Sequence, residues 1–465
     1  MATTITQEPL YNPLPVGQQI IFTVSNNLVS SYFNVKFIAE VYMSQVPPNL
    51  ALTTDLIGTF KTTPNTVGVG IFDFSSVVEN HVKADNLAAI LLSQYKTVTT
   101  TASTVIPPIH LIDKYSANTN AMKYLVIKFN MEGSLTQEGI PEIIDNQSVI
   151  TPAQYKIFNG YLKETDKLDI FDNDFGLAID SSSATPIQLS SPNSTFLTNA
   201  PTTQYANLED YGTMGFLCPV YLPNFDHTTF TYYSSTGVLL GTEDTVVGLF
   251  ASTDLRYHLG YLACYPANLQ NWNSTFKTLV TAGTIQGGYY TVQAFNASDD
   301  AHSKLYTINV NCPDLRNYES IRLAWLNQWG AWDYYTFTKK SSRTLSTQGS
   351  TYTQLEGTWN EAAFRLNGYR GGKKAFRVNA TEKIKMNTDF VSEADSEWFE
   401  ELINSPEVYM LEGFQDDTTF AMLNTYVTPV RLTTSSYTRK TVANDKLMQY
   451  TFEVEKSKTL RTQAI

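Results

Sequence analysis

The chain has 465 residues, more than one hydrophobic core supports, so several domains are expected. Hydrophobic residues make up 42% and charged residues only 16%, which excludes a wholly disordered chain; the abundance of Thr, Tyr, Phe, Asn and Ser points to strands. A net charge of -12 argues against a general nucleic-acid binder.

The opening stretch, residues 1–17, is polar and punctuated by proline, as in an extended N-terminal arm. It lacks the basic region and apolar core of a signal peptide, and no run of about 18 apolar residues follows anywhere. The expectation is a product made in the cytoplasm, with no membrane partner. Residues 18–135 read as a β-sandwich domain. Its clearest strand covers 32–43, where Phe33, Val35, Phe37, Ala39, Val41 and Met43 alternate with Tyr32, Asn34, Lys36, Glu40 and Tyr42. Ser76 stands three residues before Glu79, a capping-box spacing that predicts a short helix carrying Val77, Val78, His81 and Val82 on one side. A strand over 121–131 closes this domain.

Residues 136–315 read as an irregular β-rich middle domain with strands near 245–251, 258–265, 288–295 and 303–310. Charge then changes character. Up to residue 315 there are 13 Lys and Arg against 26 Asp and Glu; from 316 onward there are 19 against 18, and Arg256 is the only arginine before Arg316. A C-terminal β domain is therefore expected over 316–465. It holds one short helix at about 393–404, capped by Ser392, with Ala394, Trp398 and Leu402 on one face and Pro406 beyond its end. The overall expectation is a mainly β chain of several β-sandwich or barrel-like modules with a few short helices.

Near the start of that domain, residues 321–338 concentrate Trp325, Trp329, Trp332, Tyr334, Tyr335 and Phe337. Such side chains bring large apolar area and preferred stacking geometry, which suits packing rather than catalysis. Aromatics on both faces predict a strand covered on both sides, with Trp325 in the core and Trp329 and Trp332 at a turn, free to reach a neighbour.

Chemistry-bearing patterns are sparse. His81, His110, His227, His258 and His302 have no metal-ligand spacing, and Cys218, Cys264 and Cys312 lie far apart without a CxxC pair. The run DKLDIFDNDFG gathers Asp166, Asp169, Asp172 and Asp174 but lacks the glutamate that would close a calcium loop. Paired acids of this kind are what a glycan hydrolase would need. NGYRGGKKAFR, residues 367–377, fails the phosphate-loop pattern because Asn367 and Lys374 stand at its fixed positions. The wider stretch 339–385 carries ten basic residues against three acidic. That is either a DNA contact or a basic face for the acidic part of a neighbouring copy, and the second is favoured because complementary charge orients subunits.

Several segments occur in a fixed order: NPLPVGQQIIFTVSN (12–26), FNVKFIAEVYM (33–43), GVGIFDFSSVVENHV (69–83), FLTNAP (196–201), LNQWGAWDYYTFT (326–338) and WFEELINSPEVYM (398–410). Together they resemble structural proteins of tailed bacteriophages, of the kind found in Bacteroidetes, marine and crAss-like phages. The resemblance implies a non-enzymatic virion subunit of the neck, tail or baseplate, built from β-sandwich modules in a symmetric ring. Its alternatives are a tail component that binds or depolymerises host-surface glycan, and a capsid-associated decoration protein. No catalytic residue, cofactor or metal ligand comes with it. The partners expected are further copies of the chain and other virion proteins, and the candidate interface residues are Trp329, Trp332, Tyr369, Arg370, Lys373, Lys374 and Arg377.

Overall fold

A computed structural model describes residues 3–9, 13–46, 48–50, 54–88, 108–112, 114–118, 120–144, 148–152, 155–162, 192–217, 225–246, 259–312, 318–359, 362–412, 426–439 and 448–461. The chain is mainly β, with several separate sheets and a few short helices. It divides into two compact units. The first comprises Met1–Pro313, Leu326–Tyr334 and Gly413–Asn424; the second comprises Asp314–Trp325, Tyr335–Glu412 and Thr425–Ile465.

In the first unit the strand Phe33–Ser44 lies between Leu56–Thr62 and Met122–Ser134, antiparallel to both. Its predicted inward face holds from Phe37 to Met43, where Phe37, Ala39, Val41 and Met43 are buried. Phe33 departs from that face because Asn34 takes a φ of 53° and the register shifts between Phe33 and Lys36, which leaves Phe33 exposed. A three-stranded sheet of Thr4–Gln7, Ile21–Ser25 and Val69–Asp73 shares one core with the larger sheet. The rings of Phe22, Phe72 and Phe129 meet there at centroid distances of 5.5 to 5.9 Å. Two sheets filling one apolar layer from both sides make a β-sandwich.

Three expectations are corrected in this unit. The N-terminal arm is folded onto its own chain: Thr4–Gln7 pairs with Ile21–Ser25, Leu14–Pro15 runs parallel to Tyr155–Phe158, and Leu14 and Val16 are buried. Apolar side chains at the alternate positions 14 and 16 are what hold it. The boundary at 135 is crossed by strand pairing, because Tyr155–Phe158 completes the edge of Met122–Ser134 and Tyr115–Asn118 pairs with Leu259–Ala263. The short helix spans Ser75–Val78 and its first turn is served by the Asp73 carboxylate, which accepts from Ser75 N at 3.0 Å. Ser76 lies inside the helix rather than at its cap.

The rest of the first unit carries a five-stranded sheet ordered Thr203–Ala206, Tyr306–Val310, Tyr289–Phe295, His227–Tyr233 and Leu239–Val246. Two helices there, Pro266–Trp272 and Ser274–Thr281, had no counterpart in the periodicity reading. Their signals were local: proline at the first position of one, and Asn273 as a cap accepting from Phe276 N at 2.7 Å for the other.

The second unit is built on a seven-stranded sheet ordered Trp332–Phe337, Ile321–Leu326, Val408–Leu411, Val427–Leu432, Thr451–Lys456, Gly372–Asn387 and Ser342–Gln354. The helix Glu393–Asn404 is present with the predicted cap, a reciprocal box in which Asp395 N donates to Ser392 Oγ and Ser392 N donates to the Asp395 carboxylate. Its buried Trp398 lies 4.8 Å from Trp325, ring to ring.

Candidate interaction surface

The last two strands of that sheet form a long ribbon. Ser342–Gln354 and Gly372–Asn387 run antiparallel from Ser342↔Lys385 to Gln354↔Gly372, with one register shift after Ser350. Thr, Val, Tyr and Phe supply the strand propensity, and successive glycines in the left-handed region, Gly371 at φ 96° and Gly372 at φ 75°, lead the chain into the second strand. Gly371 and Gly372 of NGYRGGKKAFR therefore serve the backbone's path into that strand.

The base of the ribbon is covered, and farther along Leu460 pairs with Ala380 through reciprocal backbone hydrogen bonds. Thr451–Lys456 pairs with Lys383–Asn387, and there Ile384 and Met386 are buried. Beyond that point Ser342–Thr353 is exposed along its length. Because paired residues of antiparallel strands share a face, Leu345, Thr347, Val378 and Ala380 lie on one side and Thr344, Ser346, Ser350, Arg377 and Thr381 on the other. The first side also carries Arg343 and Glu382 near the base, and on it Leu345 and Val378 are uncovered, 59% and 48% exposed. At the far end Trp359 and Phe364 stand 5.0 Å apart, Trp359 68% exposed and Tyr369 71%.

Charge on the ribbon divides by position. At the base Arg343 bridges two acids, with Nη1 2.7 Å from Glu382, Nε 3.2 Å from Glu319 Oε2, and Nη2 on Glu319 Oε1. That guanidinium holds the carboxyls of Glu319 and Glu382 below the ordinary carboxylate range, while their two charges push the Arg343 pKa upward. Lys456 also reaches Glu382, at 3.1 Å. Toward the tip the cations meet neutral groups: Lys374 Nζ donates to Tyr369 O at 3.0 Å, Arg377 Nε to Asn379 Oδ1 at 3.3 Å, and Arg370 lies 5.8 Å from the Tyr369 ring. Among the described residues no carboxylate pairs with Lys373, Lys374 or Arg377.

Five of the seven sequence candidates thus come together on one element: Tyr369, Arg370, Lys373, Lys374 and Arg377. Trp329 and Trp332 do not join them. Both sit in the tip of the aromatic hairpin, in the first unit, and both are buried, at 2% and 1% exposure. Trp332 Nε1 donates to Asp85 O at 2.9 Å, and Trp329 stacks on Phe158 while its Nε1 donates to Asn199 Oδ1 at 3.3 Å. Asn327 shapes the turn, its Oδ1 accepting from Trp329 N and Ala331 N. Gly330 closes it at φ 74°, where a Cβ would lie 2.3 Å from Asn159 O. The expectation that these two tryptophans reach a neighbour is corrected: both rings are buried within their own unit and both indole N–H groups find acceptors there.

The first unit also buries several polar groups. Asp85 is fully buried; its carboxylate accepts from Asn120 N at 3.1 Å and from Tyr261 Oη at 3.1 Å, and burial pushes its pKa up to about 7. His110 Nδ1 lies 2.8 Å from Tyr334 Oη, which in turn meets Thr213 Oγ1 at 2.9 Å. All three are closed off from solvent, so the trio holds strands together rather than meeting a substrate. Cys264 is buried and Cys312 exposed, and neither is in a disulfide. Among the described residues no three His, Cys, Asp or Glu side chains gather in a metal-holding group, and no helix is long and apolar enough to cross a membrane. The acidic cluster at Asp166, Asp169, Asp172 and Asp174 lies outside the described residues, as do His258 and Cys218.

No family model matches the chain, and no curated protein matches it. A solved structure of Salmonella alpha-2-macroglobulin reacted with methylamine aligns with 83% of this chain and 38% of its own length, at 9% identity and a TM-score of 0.13. A TM-score that low assigns no fold and carries no functional inference.

Proposed function

We propose that this chain is a non-enzymatic structural subunit of a bacteriophage virion, placed in a ring of the neck, tail or baseplate. The observation that carries the reading is the ribbon, a long two-stranded element with Leu345 and Val378 uncovered and with Lys373, Lys374 and Arg377 paired to no carboxylate among the described residues. A subunit surface of this kind is expected of a protein that completes itself by assembly, since a two-stranded ribbon alone is marginal in water. The ordered series of aromatic, glycine and turn motifs supplies the virion context. Low overall charge and abundant aromatics fit large assembly interfaces, which favour aromatic and apolar centres.

Mass spectrometry of purified phage particles, followed by a whole-particle density map, tests this. The chain is expected in many copies at a symmetric position on the particle axis. Its absence from particles, with the protein found only free in the lysed host, would overturn the reading.

A further inference from the structure

We infer that the ribbon is the donor half of a head-to-tail contact with a second copy of this chain, seated on a surface of that copy outside its own ribbon. This deepens the structural-subunit reading and rests on it for the premise that the chain assembles.

Charge selects the occupant. Residues 339–385 hold ten basic and three acidic side chains, whereas the rest of the chain holds 22 basic and 41 acidic, so a net +7 element belongs to a protein that is otherwise -19. Ribbon against ribbon would set +7 on +7, which complementarity forbids. Against the remainder of a second copy, the same ribbon meets net negative protein. Donor and acceptor surfaces are then different, and a contact between different surfaces is heterologous; it closes into a ring when the rotation permits and extends as a filament when it does not.

Two further features require that the occupant be protein. The outer edge of Ser342–Gln354 is unpaired among the described residues, contains no proline and carries Arg343 as its one charge, near the base. Such an edge presents an unguarded row of backbone donors and acceptors. On one side Leu345 and Val378 stand uncovered. Duplex nucleic acid would satisfy the cations and leave these side chains in water, and a lipid surface would take the tip and leave the edge unpaired. A neighbouring polypeptide satisfies charge, uncovered apolar residues and edge together.

The test uses the purified full-length chain, followed by mass photometry at low and high salt. The wild type is expected to form species larger than dimers that shrink as salt rises, and a Lys373→Glu, Lys374→Glu, Arg377→Glu variant is expected to be monomeric with an unchanged thermal midpoint. That variant retains the acceptor surface. Fluorescently labelled, it should therefore cap wild-type assemblies and shorten them in proportion to its dose. A second variant, Leu345→Thr with Val378→Thr, keeps every charge and is expected to weaken assembly at all salt concentrations; it decides the matter if the charge variant fails to fold.

The inference is overturned by a wild type that stays monomeric, by variants that assemble as the wild type does, or by a labelled variant that wild-type assemblies exclude. Capture of a monomeric wild type by duplex DNA or by anionic phospholipid vesicles would reassign the ribbon and overturn it as well. None of these results removes the chain from the virion if mass spectrometry finds it there. Conversely, absence from particles would defeat the structural reading even for a chain that forms rings in solution.

Discussion

Asp85 shows how a single residue couples charge to folding. Burial raises its pKa from 3.8 to about 7, against the smaller opposing effect of the Tyr261, Asn120 and Ala121 donors. Between those two values the folded chain keeps a proton that the unfolded chain has lost, so stability falls as pH rises through the window and levels off above about 7. Each pKa unit corresponds to about 1.4 kcal/mol. An Asp85→Asn chain retains a carbonyl acceptor and cannot ionise. Thermal melts from pH 4.5 to 8 should show the wild type losing stability relative to the variant as pH rises; parallel profiles would show that the carboxyl is not protonated in the folded state. Nothing in the sequence around this aspartate marks it, because its surroundings come from Asn120, Ala121 and Tyr261, residues 35 to 176 positions away.

At the scale of elements, legibility followed locality. The helix Glu393–Asn404 was readable because its cap, its apolar spacing and its stop signal all lie within 15 residues of sequence. Ser392→Ala removes an oxygen that accepts from Asp395 N and should cost about 1 kcal/mol, seen as a lowered thermal midpoint, whereas Ser392→Asp should restore most of it. The capping-box spacing at Ser76 misled for an instructive reason. The spacing was present, but the helix begins at Ser75 with Phe74 as its N-cap residue, so Ser76 lies within the first turn; Asp73 accepts from Ser75 N and also from Ile20 N at 3.2 Å. For the ribbon, the excess of basic residues was visible along the sequence, yet charge along a stretch does not state whether anything covers it.

At the scale of the whole molecule, the chain passes between its two units more than once. Leu326–Tyr334 counts with the first unit although the residues on either side of it count with the second. Deleting everything after Pro313 would therefore remove Trp329 and Trp332 from the first unit's core, together with the Asn327 Nδ2 donor to Leu197 O at 2.8 Å. A chain truncated there is expected to be markedly less stable than the full chain or insoluble, by comparison of soluble yield and melting. A truncated chain with the full-length midpoint would show that the hairpin tip contributes little. The change in arginine content near 315 does fall close to the division between units, but composition could not reveal that a nine-residue tip belongs with the other unit.

By itself the sequence determined the mainly β class, a strand over 32–43 that the structure places at Phe33–Ser44, the capped helix at 393–404, and the grouping of Tyr369, Arg370, Lys373, Lys374 and Arg377 in one basic stretch. Each follows from periodicity, capping or charge over a short span, which are properties of neighbours along the chain. The tertiary structure alone decided that Trp329 and Trp332 are interior, that the N-terminal arm binds its own chain, and that the basic stretch is a largely uncovered ribbon. Those depend on what packs against each face from distant sequence, and burial is a property of the partners a side chain finds rather than of the side chain itself.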